Sequence, residues 1–214
     1  MQPRSAATKA SATVANQTPP TDIVTSLRLT CRPGKTGNNL TFPYTLENLG
    51  AYDIYAMEAL PSVDRASREV RADDQAAVVI SNAEDAVLGK FVAPLPTDRR
   101  VAVPVFPLAR HLPAGASLEG RLEIPLPLAE TSPYFADLTL RKYEIVDIKG
   151  VAFTIGYWLA GVDNLVASPV DYAPGLFLVV TRNTLQSAKR VSQRFATTAL
   201  QLFKRTDQFP RTTD

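Results

Sequence analysis

The chain has 214 residues, 45% of them apolar and 21% charged, with a formal net charge of +2. This is ordinary for a soluble globular protein and long enough to bury a real core without cross-links. A single cysteine, Cys31, excludes an internal disulfide framework and any multi-cysteine zinc or iron–sulfur site, and a single histidine, His111, excludes a histidine-rich metal site.

Residues 1–22 are Ala, Ser, Thr, Gln and Pro with almost no large apolar side chains, and read as a flexible arm that buries too little surface to fold alone. The arm lacks the apolar core of a secretory signal, which points to the cytoplasm, an exported mature form being the alternative. No apolar run approaches the ~20 residues of a transmembrane helix, so no transmembrane segment is expected. Seventeen prolines against ten glycines suit short strands joined by rigid turns.

From Ile23 to Cys31 alternate residues are apolar, the pattern of a half-buried strand. Leu40, Phe42, Tyr44 and Leu46 alternate with Thr41, Pro43, Thr45 and Glu47 in a second strand, and residues 52–60 give a third. Residues 62–75 are charged and aperiodic, and read as a loop. Residues 76–80 and 87–93 predict a hairpin around Ser81–Asp85, and 101–108 a further strand interrupted by Pro104 and Pro107. Leu118 to Leu128 is the cleanest strand, with Pro125 and Pro127 protecting its second half from further pairing. Residues 138–148 and 151–160 read as two strands around Lys149-Gly150, 161–175 as a long loop, and Leu176–Val180 as a buried strand. The body, residues 23–181, is thus a β-sandwich domain.

Asn183 to Arg205 changes period. Leu185, Ala188, Val191, Phe195, Ala199, Leu202 and Phe203 fall within about 120° of a helical wheel, with Lys189, Arg190 and Arg194 opposite. The spacing predicts a basic amphipathic helix over 182–206, followed by a polar tail at 207–214. Residues 182–214 carry +5 and the rest −3. The helix has three readings: docked by its apolar stripe on the open face of the sandwich with Lys and Arg solvated, paired with another chain, or laid on anionic membrane or nucleic acid.

Segments such as Leu40–Asn48 and Leu112–Gly120 resemble immunoglobulin-like and fibronectin-type sandwiches. The resemblance implies topology style over residues 23–180 and no functional residue, and a jelly roll fits the same pattern.

Chemistry is sparse. Cys31 sits on the apolar face of the first strand and reads as a buried, inert thiol. His111 lies near a turn without a Ser or Cys elbow. Asp73-Asp74 and Glu84-Asp85 lack the alternating acidic ligands of a calcium loop. Asn16 and Asn39 head glycosylation sequons. There is no GxGxxG, P-loop, GxSxG or HExxH. Trp158 either stacks on a ligand or interface, or packs beneath the C-terminal helix or a loop.

The expectation is a mainly β chain, an antiparallel sandwich of immunoglobulin-like or jelly-roll type with a C-terminal helix. Its expected role is a non-catalytic protein-interaction or structural subunit without a cofactor. The arm and the helix are the expected partner contacts, carried by Lys189, Arg190, Val191, Arg194, Phe195, Leu202, Phe203 and Trp158. The partner is a protein, including a second copy of itself, with acidic surfaces, anionic membrane or nucleic acid as alternatives. Two other functions compete: a shell-forming jelly-roll subunit, and an enzyme with a rim site built on His111 and loop carboxylates.

Overall fold

Among the described residues, the alternating patterns become fourteen strands and one helical turn. In chain order they are β1 (Leu27–Cys31), β2 (Gly34–Thr36), β3 (Asn39–Asn48), β4 (Ile54–Val63), β5 (Val70–Asp73), β6 (Val78–Asn82), β7 (Asp85–Lys90), β8 (Leu108–Leu112), β9 (Ser117–Pro125), β10 (Leu128–Ala129), β11 (Tyr143–Leu159), β12 (Val166–Pro169), β13 (Leu176–Val180), α1 (Thr184–Ser187) and β14 (Lys189–Arg205). The computed structural model describes residues 26–64, 66–96, 100–135, 143–161, 165–180 and 184–206. The expected arm at 1–22, the tail at 207–214, Asn16, and the side chains of Leu185 and Ala199 lie outside the described residues.

β3 is the centre of the smaller sheet, with β9 along one side and β1 and β2 sharing the other. The larger sheet runs β10–β14–β11–β4–β8–β13–β12, with β7 beside β11 and β6 beyond it. The β7–β11 and β10–β14 pairings are parallel, so the expected all-antiparallel sandwich is a mixed one. The two sheets enclose the main core. Phe42, Tyr44, Leu46, Leu122 and Ile124 of the smaller sheet meet Leu88, Val151, Phe153 and Ile155 of the larger. Phe42 stacks on Phe153 with ring centroids 5.4 Å apart, worth about 0.5–1.5 kcal/mol beyond the area it buries.

The far face of the larger sheet is also covered. Phe91, Val92 and Ala93, with Val105 and Phe106 and the ring of Tyr134, pack over Met57, Trp158 and Val179. β11 is therefore buried on both faces from Gly150 to Leu159. Residues 101–107 form no strand. Pro104 and Pro107 remove ladder donors, and the segment serves as cover instead, its Val105 N–H donating to the Tyr134 hydroxyl at 3.1 Å.

The predicted C-terminal helix is overturned. Apart from the single turn of α1, the segment is β14, a strand of 17 residues. It pairs antiparallel with β11 almost end to end, from Tyr157↔Lys189 to Tyr143↔Arg205. Two features of the pairing mimic a helical period. Val191, Gln193 and Phe195 all face the core, but the middle one is polar, its side-chain oxygen accepting the Cys31 N–H at 2.7 Å. The register then shifts opposite Ile148/Gly150, and beyond it the inward positions are Leu200 and Leu202. A polar inward residue and a change of phase spread the apolar positions at near-helical spacing. The same bulge, rather than a turn, joins what read as two strands around Lys149-Gly150.

Two further departures concern loops. Residues 62–75 contain a hairpin, in which Val63 opposes Val70 and Leu60 opposes Asp73. The stretch 161–175 contains β12, paired with β13 from Val166↔Val180 to Pro169↔Phe177.

Thr131 pairs with Val79 through two backbone hydrogen bonds of 2.8 and 2.9 Å. The strand that leaves β10 beside β14 thus reaches β6. β6, β7, β11, β14 and β10 with Thr131 form a closed circuit of hydrogen-bonded neighbours. The Glu130 carboxylate straddles the closure, accepting the Ser81 N–H and the Arg205 N–H, each at 2.8 Å.

Candidate interaction surface

The residues expected to face a partner are distributed over both faces of β14 and one buried site. Val191, Phe195 and Leu202 pack on the main core, Leu202 completely. Phe203 lies on the opposite side and meets the Tyr143 ring, centroids 6.0 Å apart. Trp158 is fully buried, and its indole N–H donates to the Thr184 carbonyl at 3.3 Å. It therefore packs beneath the segment that includes α1.

The cations of β14 turn back onto their own chain. Arg190 donates to the Val92 carbonyl at 2.9 Å and lies over the Phe91 ring at 4.5 Å. Burial lowers its pKa. Arg194 forms a bidentate pair with Asp85, at 2.6 and 2.8 Å, which also holds the Asp85 carboxyl below its ordinary pKa. The pair crosses over Gly150, where a Cβ would stand 2.7 Å from both partners. Lys189 is half-buried opposite Tyr157.

His111 stands beside a carboxylate, Nε2 3.0 Å from Asp53 Oδ2, with the Tyr55 ring on its other side, centroids 5.2 Å apart. Asp53 also accepts the Ala114 N–H at 2.9 Å, and that bond, ahead of His111, lowers its pKa. Both side chains are about two-fifths exposed. Asp73 caps the turn at Gln75 and Ala76 through their N–H groups, and Glu84 pairs with Lys149 across the surface. Among the described residues no group of three His, Cys, Asp or Glu side chains is placed to hold a metal ion, and no helix is long and apolar enough to cross a membrane. Asn39 of the second sequon is half-buried, 3.4 Å from the Glu123 carboxylate.

The most unusual buried group is Lys90. Ala86, Leu88 and Lys90 take successive inward positions on β7, so a lysine occupies what the alternation reserves for an apolar residue. It is 4% exposed, lies 5.9 Å over the Tyr44 ring, and has no carboxylate within ion-pair distance among the described residues. Of the acids whose charge acts on it, Glu58 forms a bidentate pair with Arg110 at the β4 bulge and Asp73 accepts backbone N–H groups. Desolvation lowers the Lys90 pKa against the opposing pull of Glu58, Asp74 and Asp73. Burial likewise pushes Tyr44 up, and Cys31 up to about 11. Lys90→Met should stabilise the fold by about 1–3 kcal/mol at neutral pH, because it removes a largely desolvated charge that no carboxylate pairs with among the described residues. A folded-state lysine pKa below its unfolded value means that the penalty is complete below the folded pKa and vanishes as pH rises towards 10.5. Urea unfolding of both proteins from neutral to alkaline pH should therefore show an advantage that shrinks with pH. A wild type as stable as the variant at pH 7 would contradict it.

Concavities are modest. A slot of about 180 Å³ opens between the sheets where β14 bulges, lined by Leu40, Phe42, Val151, Phe195 and Leu200 among others. A polar depression of about 390 Å³ lies on the smaller sheet around Arg32, Tyr44 and Glu119. A third, of about 340 Å³, adjoins Pro127 and Gln201. None of the three includes His111 or Lys90.

One surface combines exposed apolar side chains with unpaired backbone. β12 ends the larger sheet, and no described residue pairs with its outer side. In the β12–β13 register Val166 opposes Val180 and Ser168 opposes Leu178, so these four share a face. Val166 is 65% exposed, Val180 46% and Leu178 37%. Sequence reasoning missed this flange because Val-Ala-Ser-Pro is too short to show a period. Comparison with known proteins finds no matching family model, curated protein or solved structure.

Proposed function

We propose that the chain is a non-catalytic protein-interaction or structural subunit whose contact is the β12–β13 flange. The observation that supports this reading is the coincidence of a free strand edge with Val166, Leu178 and Val180 on one exposed face. A free edge offers a row of N–H and C=O groups to an extended segment, and alternate apolar side chains give that segment something to pack on. The basic C-terminal residues fit the role less well, since Arg190 and Arg194 are already engaged within the chain. A shell-forming subunit uses the same kind of contact, and particle formation on expression is the outcome that would select it. A rim enzyme has in its favour only the His111–Asp53 pair.

The reading is tested with a fluorescein-labelled peptide of alternating Thr and Val, titrated with dilute protein and followed by anisotropy. Saturable binding is expected for the wild type, weakened at least tenfold by the pair Val166→Lys and Val180→Lys, while the melting temperature stays within a few degrees. Equal binding by wild type and variant would overturn it.

A further inference from the structure

We infer that the occupant of the flange is a second copy of this chain, joined edge to edge through β12 in antiparallel pairing about a two-fold axis. The inference rests on the flange being the contact surface and adds the partner.

Three observations lead to it. The flange is almost neutral: β12 and β13 carry no charged residue, and between Leu165 and Val180 only Asp171 is charged. In a chain that is 21% charged, such a surface offers nothing to a basic or acidic partner and raises no like-charge repulsion against itself. The edge also lacks the usual guards. There is no lysine and no bulge along β12, and its one proline, Pro169, stands at the last position. Finally, an edge paired antiparallel with its own copy is self-complementary: each β12 satisfies the other, no free edge remains at the joint, and assembly closes at two. The two larger sheets would become one, with the Val166–Ser168 rows of the copies meeting across the axis and Leu178 and Val180 one strand behind them on the same face. Four residues of edge make a small contact, so the dimer forms with concentration rather than being obligate.

The test uses the full chain. Sedimentation velocity from about 1 µM to about 500 µM, the range in which a short edge contact associates, is expected to show a monomer–dimer equilibrium. Val166→Lys should weaken it at least tenfold. Ser168→Cys then locates the joint. Antiparallel pairing brings the two copies of position 168 close enough for a bismaleimide of about 8 Å reach, the diagonal cross-strand spacing. Cys31 is buried with its thiol pKa raised to about 11, so it does not compete. Ser117→Cys, exposed on β9, is the control and should give no cross-linked dimer. A monomer throughout the range, or a dimer untouched by Val166→Lys and cross-linked equally from position 117, would overturn the inference. If the monomer still binds the Thr/Val peptide through the flange, the partner is wrong and the contact surface stands. If it binds neither, both fail.

Discussion

Gly89→Ala should abolish stable folding. Gly89 lies in β7 with φ of +143°, a conformation L residues rarely adopt, and a Cβ there would stand 2.0 Å from the Thr154 carbonyl oxygen. That oxygen belongs to β11, directly opposite in the parallel ladder that runs from Gly150↔Asp85 to Ile155↔Lys90. It cannot retreat, because β14 holds the other side of β11 and both faces of the strand are packed. The methyl group therefore breaks the pairing or displaces the strand, at a cost of about 4 kcal/mol or more. Insoluble protein, or a melting temperature lower by tens of degrees, is the expected result on expression and circular dichroism. Gly37→Ala is the comparison. It too has positive φ, +58°, but a Cβ added there would meet nothing within 4 Å. Its cost is only the backbone strain, about 1–2 kcal/mol. Two variants equally affected would show that the close approach to Thr154 is not the cause.

Trp158→Ala should cost about 3–5 kcal/mol, the range for removing a fully buried aromatic. Trp158 sits among Met57, Phe91, Val92, Ala109 and Val179, on the face of β11 away from the smaller sheet. Removing it leaves a cavity under the covering segment and withdraws the donor from the Thr184 carbonyl. As this is the only tryptophan, unfolding has to be followed by circular dichroism in urea rather than by indole emission. Trp158→Phe keeps most of the volume and should lose about half as much or less. An alanine variant within about 1 kcal/mol of wild type would mean that the covering layer collapses freely onto the sheet.

Both variants concern β11, whose importance was only partly legible. Its second half reads as a strand because Val151, Phe153, Ile155, Tyr157 and Leu159 alternate. Of the alternate positions, Trp158 already read as packed beneath another segment, whereas Gly156 carried no such signal. The cover comes from Phe91–Ala93, which read as the end of a hairpin strand, and from Val101, Val105 and Phe106, whose neighbouring prolines read as a broken strand; no local pattern announces a packing partner fifty residues away. β3 was legible because Leu40, Phe42, Tyr44 and Leu46 make one face apolar, and β9 because Leu118, Leu122 and Ile124 do so around Gly120. β13 was legible as a strand from its solid apolar run, but the fully buried state that run suggests is corrected by the exposed Leu178 and Val180. β14 was not, because Gln193 spends an inward position on a hydrogen bond to Cys31 and the bulge changes the phase. Its strand state is imposed by the long antiparallel pairing with β11, an example of tertiary context outweighing local period. The buried state of Cys31 and the packed Trp158 follow the simplest reading of each residue. Lys90 is the opposite case. Charge normally marks an outward position, and its inward place could be suspected only from Leu88 and Ala86, two and four residues before it.

The circuit through β6, β7, β11, β14 and β10 has a consequence for the order in which the molecule can be made. Of the five strands a ribosome delivers β6 and β7 first, then β10, then β11 and last β14. Until Arg205 has emerged, β11 has no neighbour along the side that β14 will take, and the carboxylate of Glu130 holds only one of its two backbone donors. At about 5–20 residues per second, an apolar strand waits for seconds with one side open. Folding dominated by such distant pairings is slow. The nascent chain is therefore most open to wrong association in the interval between the emergence of β11 and that of β14.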